Sequence, residues 1–166
     1  MIHVCSLARL HATVEETGAR HVITLVRDPV LRPPSVDPDN HLVVDVDDIT
    51  CAQDGYVAPC EQHVAKVIDF AQGWDRAAPM VVHCWAGISR STATAYAAAC
   101  ALNPQRDELT IAWELRRASR TASPNPLIVS LADRLLGRGG RMIKAVETIG
   151  RGLAATEGEP FRLALE

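Results

Sequence analysis

A cysteine and an arginine six positions apart are the residues best suited to chemistry in this chain. Cys84 follows a short apolar run that begins at residue 80, and Arg90 opens an alanine-rich segment. Gly87 stands between them and allows the chain to turn tightly. A loop wound in front of a helix points its backbone N–H groups inward, and the helix N-terminus adds positive partial charge. The pattern therefore predicts a strand, a phosphate-binding loop and a helix, with a nucleophile at the start of the loop.

Each group in this predicted loop has a chemical task. The planar guanidinium of Arg90 can hold two phosphate oxygens at once, which an ammonium group does less well. The surrounding donors would also favour the ionised thiolate at Cys84. A thiolate can attack phosphorus and form a cysteinyl-phosphate. The groups predicted to bind the phosphate belong to Trp85, Ala86, Gly87, Ile88, Ser89 and Arg90.

The run of residues 83–91, His-Cys-x5-Arg-Ser, resembles the signature of the cysteine-dependent protein tyrosine phosphatase superfamily. Its inner residues are most similar to those of the small, bacterial-type dual-specificity enzymes. The resemblance covers roughly residues 2–136 and implies the phosphatase fold, in which the catalytic loop lies at the carboxyl end of a strand of the central sheet. It also implies a protein phosphatase that hydrolyses phosphotyrosine, with phosphoserine and phosphothreonine left open as further substrates.

The resemblance gives roles to three more residues. It implies that the Ser91 hydroxyl stabilises the thiolate when water breaks the cysteinyl-phosphate, and the same serine also fits the first turn of a helix. It implies that His83 orients the loop and supports the thiolate without acting as a base. Asn125 is similar to an asparagine that braces the catalytic loop in the family, although a turn between two prolines explains this residue equally well.

Expulsion of a seryl or tyrosyl oxygen needs a proton donor, and the resemblance implies an aspartate on a loop upstream of the cysteine. Asp48 is favoured because it follows the third predicted strand, where the small dual-specificity enzymes carry their acid. Asp54 has a spacing to the cysteine nearer to the family's, but it precedes a glycine and fits a turn. Asp47 fits a loop cap, and Asp45 alternates with valines along the predicted strand.

Two other functions fit parts of the pattern. Inositol or lipid phosphate phosphatases of the same superfamily tend to carry lysines within the loop, whereas the side chains between Cys84 and Arg90 are uncharged. A non-catalytic phosphate-binding module would lack the cysteine, the arginine or the acid, and none of these is missing here. The pattern therefore favours an enzyme acting on phosphoproteins over both alternatives.

Arginines are frequent after residue 115. Such a run predicts either a solvated helix face or a basic patch that would favour acidic phosphopeptides. The arginines in question are Arg116, Arg117, Arg120, Arg134, Arg138 and Arg141.

The hydrophobic pattern predicts the elements around the loop. Short apolar runs predict strands, and longer amphipathic or alanine-rich segments predict helices. The predicted strands are residues 2–5, 21–26, 41–46 and 80–82, and the predicted helices are residues 6–16, 61–74, 92–102, 105–118, 127–136 and 142–149. This order predicts an α/β fold with a central, mostly parallel sheet flanked by helices. Residues 1–150 are predicted to form a single phosphatase domain, and residues 151–166 either a tail or a segment docked through Phe161 and Leu163.

The composition is that of an ordinary globular domain. The 166 residues are 48% hydrophobic and 22% charged, with a net charge of -3. The slightly negative net charge does not favour binding to nucleic acid or to an anionic membrane. No apolar run is long enough to span a membrane. The five cysteines show no metal-ligand or redox spacing, which predicts a cytoplasmic protein without a metal or other cofactor. The expected partner is a phosphorylated protein or peptide, and the oligomeric state is left open.

Overall fold

Five short strands form one sheet in the computed structural model, which describes residues 1–165. The order across the sheet is β3-β2-β4-β1-β5. Strands β1 to β4 run parallel, and β5 pairs antiparallel with β1 at one edge. The strands are β1 (Ile2–Ser6), β2 (His21–Thr24), β3 (His41–Val43), β4 (Met80–Cys84) and β5 (Phe161–Leu163). The predicted α/β class with a mostly parallel central sheet is confirmed.

Helices cover both faces of this sheet. They are α1 (Leu10–Thr17), α2 (Glu61–Gly73), α3 (Arg90–Leu102), α4 (Glu108–Ala118), α5 (Pro126–Leu135) and α6 (Arg141–Ile149). On one face, Leu10 and Val14 of α1 pack against Val22 and Val81. The other helices build a larger core on the opposite face. None of the helices within residues 1–165 is long and apolar enough to cross a membrane.

Helix α3 lies at the centre of the larger core and contacts β4, α2, α4 and α5. Its residues from Ser91 to Ala101 are all buried. Alanine dominates this stretch, and the small side chains let the neighbouring elements approach closely from every side. The helix begins at Arg90, earlier than the predicted residue 92. Arg90 is therefore fixed in the first helical turn, directly after the predicted phosphate-binding loop.

Two of the predicted strands are too long. The predicted strand 21–26 ends at Thr24, and the predicted strand 41–46 ends at Val43. The valines at 44 and 46 are buried, but after Val44 the chain leaves the sheet to contact other parts of the molecule. Alternating apolar residues therefore marked burial here and not continued strand pairing.

Two helix starts also differ from the prediction, and both differences come from capping. Ser6 accepts a hydrogen bond from the N–H of Arg9, as predicted for a cap, but it caps a short 3-10 turn (Leu7–Arg9) that precedes α1. Helix α4 begins at Glu108 instead of residue 105, because the Asp107 side chain accepts the N–H of Thr110.

The end of the described chain crosses the molecule. Residues 151–160 have no regular secondary structure, and Phe161–Leu163 then forms β5 at the edge of the sheet. Leu163 is buried and Phe161 packs against the larger core. Residues 161–163 are thus attached to the edge of the sheet through β1. The division into one domain and a terminal segment stays a prediction.

Candidate active site

Cys84 is the last residue of β4, a strand that is buried along its whole length. Its sulfur accepts the backbone N–H of Gly87 at 3.3 Å and lies 3.1 Å from the hydroxyl oxygen of Ser91. The residue is 2% exposed. A loop amide and a helix hydroxyl therefore meet at one sulfur, which is an arrangement that can stabilise a thiolate.

Residues 85–89 are here named the phosphate loop after their predicted role. Backbone N–H groups of other segments donate to the carbonyl groups on the outer side of this loop. A planar trans peptide points its C=O and its N–H in opposite directions, so carbonyls fixed outward turn the N–H groups inward. The donors and acceptors are Leu7 N–H to Trp85 O (3.2 Å), Gly158 N–H to Ala86 O (2.9 Å), Ser123 N–H to Ile88 O (2.9 Å) and Asn125 N–H to Ser89 O (3.2 Å). Segments distant in sequence thus shape the loop.

Gly87 has no room for a side chain. Its φ is 72°, in the left-handed region that favours glycine. A Cβ built on it would lie 2.8 Å from the carbonyl carbon of Cys5 and 2.8 Å from the nitrogen of Ser6. The phosphate loop therefore packs directly on the backbone at the end of β1, and any other residue at position 87 would push it away.

Arg90 reaches from the first turn of α3 to the chain that follows β3. Its Nη1 donates to the carbonyl oxygen of Val46 at 2.9 Å. Its Nε is buried and has no hydrogen-bond partner among residues 1–165. Buried donors are almost always paired in proteins, so this N–H is suited to an acceptor from a bound anion.

Asp48 lies beside the phosphate loop. It belongs to the segment of residues 44–60 between β3 and α2, here named the acid loop. Its Oδ1 accepts the Ser89 hydroxyl at 2.7 Å and the Asn125 side-chain amide at 2.9 Å. Both hydrogen bonds reach the same oxygen, which leaves Oδ2 for other contacts. Among the candidate aspartates, Asp48 is the one that contacts the phosphate loop.

The other candidate aspartates are engaged elsewhere or exposed. The Asp47 carboxylate accepts the Val57 N–H at 2.7 Å and pairs with Arg27 at 3.1 Å. The backbone hydrogen bond from Val57, together with Arg27, lowers the pKa of Asp47. Asp45 lies 3.5 Å from the same guanidinium. Asp54 is exposed in a turn, as its position before a glycine suggested. Asp47 therefore closes the acid loop on itself, which is the loop-cap role that the sequence offered.

Asn125 serves two elements at once. Its Oδ1 accepts the N–H groups of Leu127 and Ile128 and so caps α5. Its side-chain amide donates to Asp48 and, at 3.3 Å, to the carbonyl oxygen of Ile49. The residue is 2% exposed. The side-chain amide thus contacts the acid loop, whereas the backbone N–H of Asn125 contacts the phosphate loop at Ser89, so a bracing role for this residue in catalysis stays a prediction.

Solved structures with the same architecture exist. Human DUSP28 has a TM-score of 0.64 and 20% identity, covering 82% of this chain and 88% of its own. DUSP15 has a TM-score of 0.63 and 17% identity, covering 89% of both chains. PTPMT1 has a TM-score of 0.60 and 16% identity, covering 84% of this chain and 94% of its own. The chain has the dual-specificity phosphatase fold. No protein-family model matches the sequence, and no curated protein matches it.

His83 lies beneath the loop of this dual-specificity phosphatase fold and is fully buried. Its Nε2 is 2.7 Å from the Thr24 hydroxyl, which in turn lies 2.8 Å from Nε2 of His41. Burial lowers the pKa of His83 to about 4, so the imidazole is neutral at neutral pH. A neutral, hydrogen-bonded ring fits a positioning role. Thr24, which holds the ring, carried no signal in the sequence.

The arginines that suggested a basic patch are used in several different ways. Arg138 is buried and pairs with Glu108 at 2.8 Å, and Arg141 pairs with the same carboxylate at 3.1 Å. Arg134 forms an exposed pair with Glu61. Arg116 donates to backbone carbonyls, among them that of Gly150 at 2.7 Å. Ion pairs and backbone contacts therefore account for these four, whereas Arg117 and Arg120 are exposed.

The space around the candidate site is bounded by residues that sequence reasoning missed. A groove of ≈ 840 Å³ opens beside Asp48 and Ser89, and residues 150–155 form one of its walls. Trp85 is 60% exposed and lines a second hollow together with Thr156 and Glu157. Residues 1–165 contain no group of three or more His, Cys, Asp or Glu side chains that could hold a metal ion.

Proposed function

We propose that this chain is a protein phosphatase that works through a cysteinyl-phosphate. The observation that carries the proposal is the meeting of the Gly87 N–H and the Ser91 hydroxyl at the sulfur of Cys84. A sulfur held by such donors is suited to react as a thiolate. The unpaired, buried Nε of Arg90 supports the proposal, because a phosphate oxygen would supply its acceptor.

In the first step, the Cys84 thiolate attacks phosphorus, and a sulfur–phosphorus bond replaces the ester oxygen–phosphorus bond. Arg90 and the inward N–H groups of the phosphate loop hold the non-bridging oxygens as charge redistributes. Asp48 gives a proton to the leaving oxygen, which departs as a neutral phenol or alcohol. Its Oδ1 is already occupied by Ser89 and Asn125, so we assign this proton to Oδ2.

In the second step, water attacks the phosphorus of the cysteinyl-phosphate. The Asp48 carboxylate takes the proton of that water, the sulfur–phosphorus bond breaks, and inorganic phosphate leaves. The departing thiolate is stabilised by a hydrogen bond from the Ser91 hydroxyl, whose oxygen lies 3.1 Å away. A thiolate nucleophile requires reducing surroundings, so we propose a cytoplasmic location.

Phosphoproteins are the substrates that the site favours, with phosphotyrosine first. The side chains of the phosphate loop are uncharged, so a second or third phosphate on one ring would find no cation there. The groove of ≈ 840 Å³ beside Asp48 offers space for the chain that flanks a phosphorylated residue. The side chains of phosphoserine and phosphothreonine are shorter than that of phosphotyrosine. Activity on them, compared with activity on phosphotyrosine, would define how broad the specificity is.

Hydrolysis of an aryl phosphate in the presence of a chelator tests the reaction. Wild type should be active, and Cys84→Ser should lower kcat by about 10³ or more, as loss of a nucleophile does in other enzymes. Acid quenching of the wild-type reaction should leave phosphate on the peptide that contains Cys84, detectable by mass spectrometry. Full activity of Cys84→Ser would reject the proposal.

A substrate panel tests the specificity. Phosphotyrosine peptides, phosphoserine peptides and phosphoinositides are compared at equal concentration by release of inorganic phosphate. The highest kcat/KM is expected for a phosphotyrosine peptide. A preference for phosphoinositides would favour the lipid phosphatase alternative, and phosphate binding without turnover of any substrate would make the chain a binding module.

A further inference from the structure

We propose that the segment of residues 150–163, here named the C-terminal strap, positions the phosphate loop for chemistry through Gly158. The strap begins after α6, passes beside the loop and ends as β5. The proposal rests on the proposed function, because it assigns a task within that same site. Nothing in the local sequence of the strap pointed to the loop.

The strap is attached near its start, in its middle and at its end. At its start, Gly152 N–H donates to the Ser123 hydroxyl at 3.0 Å and Leu153 N–H donates to the Arg120 carbonyl at 2.8 Å. In its middle, Gly158 N–H donates to the carbonyl of Ala86 at 2.9 Å. At its end, β5 pairs with β1. The middle attachment is the one that touches the phosphate loop, and the outer two fix where it can lie.

The bond from Gly158 controls an amide that faces the sulfur. Its acceptor, the Ala86 carbonyl, belongs to the same planar peptide as the Gly87 N–H. That N–H points to Sγ of Cys84 at 3.3 Å. Gly158 is therefore separated from the nucleophile by a single peptide plane, and tilting this plane would withdraw a donor from the thiolate.

The requirement for glycine at position 158 is one of space. The residue is buried, and its backbone is not in the left-handed region. A Cβ built on it would lie 2.9 Å from the carbonyl oxygen of Gly87 and 3.4 Å from Cγ1 of Ile88. A methyl group here would press on the phosphate loop itself. The strap would have to retreat, and its hydrogen bond to Ala86 would lengthen.

A second tie lies next to Gly158. The Ser6 hydroxyl donates to the Glu157 carboxylate. Ser6 is the last residue of β1 and stands beside Cys84 in the sheet register. This contact fixes the strap to the strand end on which the phosphate loop packs, and Glu157 itself is exposed. It can therefore be altered without disturbing the core.

The test is Gly158→Ala, with Gly73→Ala as the matched control. Gly73 ends α2, is not in the left-handed region and has nothing within 4 Å of a built Cβ. Carboxymethylation of Cys84 by iodoacetate is followed from pH 4 to 9, with the modified peptide quantified by mass spectrometry so that the exposed Cys51 and Cys60 do not interfere. This measurement needs no phosphatase activity, so it remains decisive even if the proposed function fails.

Gly158→Ala should move the midpoint of the alkylation profile upward by about 0.5 to 1 pH unit, the effect of losing one hydrogen bond to the charged form. Turnover of an aryl phosphate below that midpoint should fall about three- to tenfold and recover at higher pH, which general damage to the fold would not do. A folded Gly158→Ala variant with the same midpoint as Gly73→Ala would overturn the proposal.

A second variant decides the matter if Gly158→Ala does not fold. Glu157→Asp keeps the charge near the loop but is one methylene too short to hold the Ser6 hydroxyl. Its midpoint should move in the same direction by a smaller amount, about 0.3 pH unit. An unchanged midpoint in Glu157→Asp would then overturn the proposal.

Discussion

The phosphate loop and the acid loop lie side by side and contribute to one site, but they are built in different ways. Backbone N–H groups from distant segments hold the carbonyl groups of the phosphate loop, and the loop packs on the backbone at the end of β1. The acid loop is tied mainly by side chains. Asp47 closes it on Val57, and Asp48 reaches Ser89 and Asn125. One loop is held mainly through its backbone, whereas the other is held mainly by a few polar side-chain contacts.

This difference decides how each loop can be altered. A change in the phosphate loop moves several N–H donors together, because its peptides share one set of backbone contacts. A change in the acid loop removes one side-chain contact and leaves the rest of the loop in place. We therefore expect large losses from substitutions at the phosphate loop and smaller, more selective losses from substitutions at the acid loop.

The largest effect is expected for Arg90→Lys, at the junction of the two loops. Lysine keeps the charge but loses the planar fork and the hydrogen bond to Val46. The value of kcat/KM for an aryl phosphate should fall about 10³-fold, because bidentate contact with the transferred phosphate is lost. Inorganic phosphate should inhibit the variant less than wild type. Activity within a few fold of wild type would show that the guanidinium fork is dispensable.

A large effect on stability is expected from pH, through the buried His83. Burial lowers its pKa to about 4, whereas a histidine in the unfolded chain titrates near 6.5. The unfolded state therefore binds the proton first as pH falls. The stability that the neutral ring contributes is complete above pH 6.5 and is lost by about pH 4, a difference of about 3 kcal/mol.

Urea unfolding at several pH values checks this expectation. His83→Gln should lose less free energy of unfolding than wild type between pH 6.5 and pH 4. His11→Gln, at an exposed position, is the matched control and should follow wild type. Parallel curves for wild type and His83→Gln would show that the histidine beneath the phosphate loop does not control acid stability.

Asp48→Asn tests the acid loop at its candidate proton donor. Asparagine can still accept the Ser89 and Asn125 hydrogen bonds, but it cannot give a proton to the leaving oxygen. The value of kcat/KM, which reports the first step, should fall about 10²-fold for phosphotyrosine and change little for an aryl phosphate with an acidic leaving group. Asp54→Asn should behave as wild type with both substrates, because Asp54 lies exposed in a turn. The reverse pattern would move the role to Asp54.

The two loops also differ in how far the sequence could predict them. Cys84, Gly87 and Arg90 are close in sequence, and their roles depend on local geometry at a strand, a turn and a helix start. The position of Asp48 beside Ser89 depends on how the chain leaves the sheet after Val44. Sequence spacing alone therefore could not decide which aspartate is the proton donor, since all the candidates lie on the same loop.

The contacts that the sequence could not indicate are the ones made over long distances. Gly158 and Thr24 carry no motif, and their contacts with the site depend on the sheet order that brings β5 and β2 near β4 and β1. The pair of Glu108 and Arg138 was not predicted either. Charged residues are almost never buried unless they are paired, and the sequence does not show which distant residue would be the partner. Local patterns predicted the fold class and the nucleophile, whereas side-chain pairing across the fold required the structure.

The smallest effect is expected at Asn125, where the two loops and α5 meet. Asn125→Asp keeps an oxygen for the N–H groups of Leu127 and Ile128, but it places a carboxylate where the amide donated to Asp48. Asn125→Ala removes both contacts.

Both variants should lower kcat about tenfold, since the proton donor Asp48 loses one of its two hydrogen-bond partners. Asn125→Ala should also lose about 1 kcal/mol of unfolding free energy with the helix cap, whereas Asn125→Asp keeps the cap and loses stability through repulsion between its buried carboxylate and that of Asp48. Thermal unfolding and phosphotyrosine turnover are measured on the same samples. Wild-type turnover in a folded Asn125→Asp variant would show that Ser89 alone suffices to place Asp48, and the acid loop would then depend on the phosphate loop for its position.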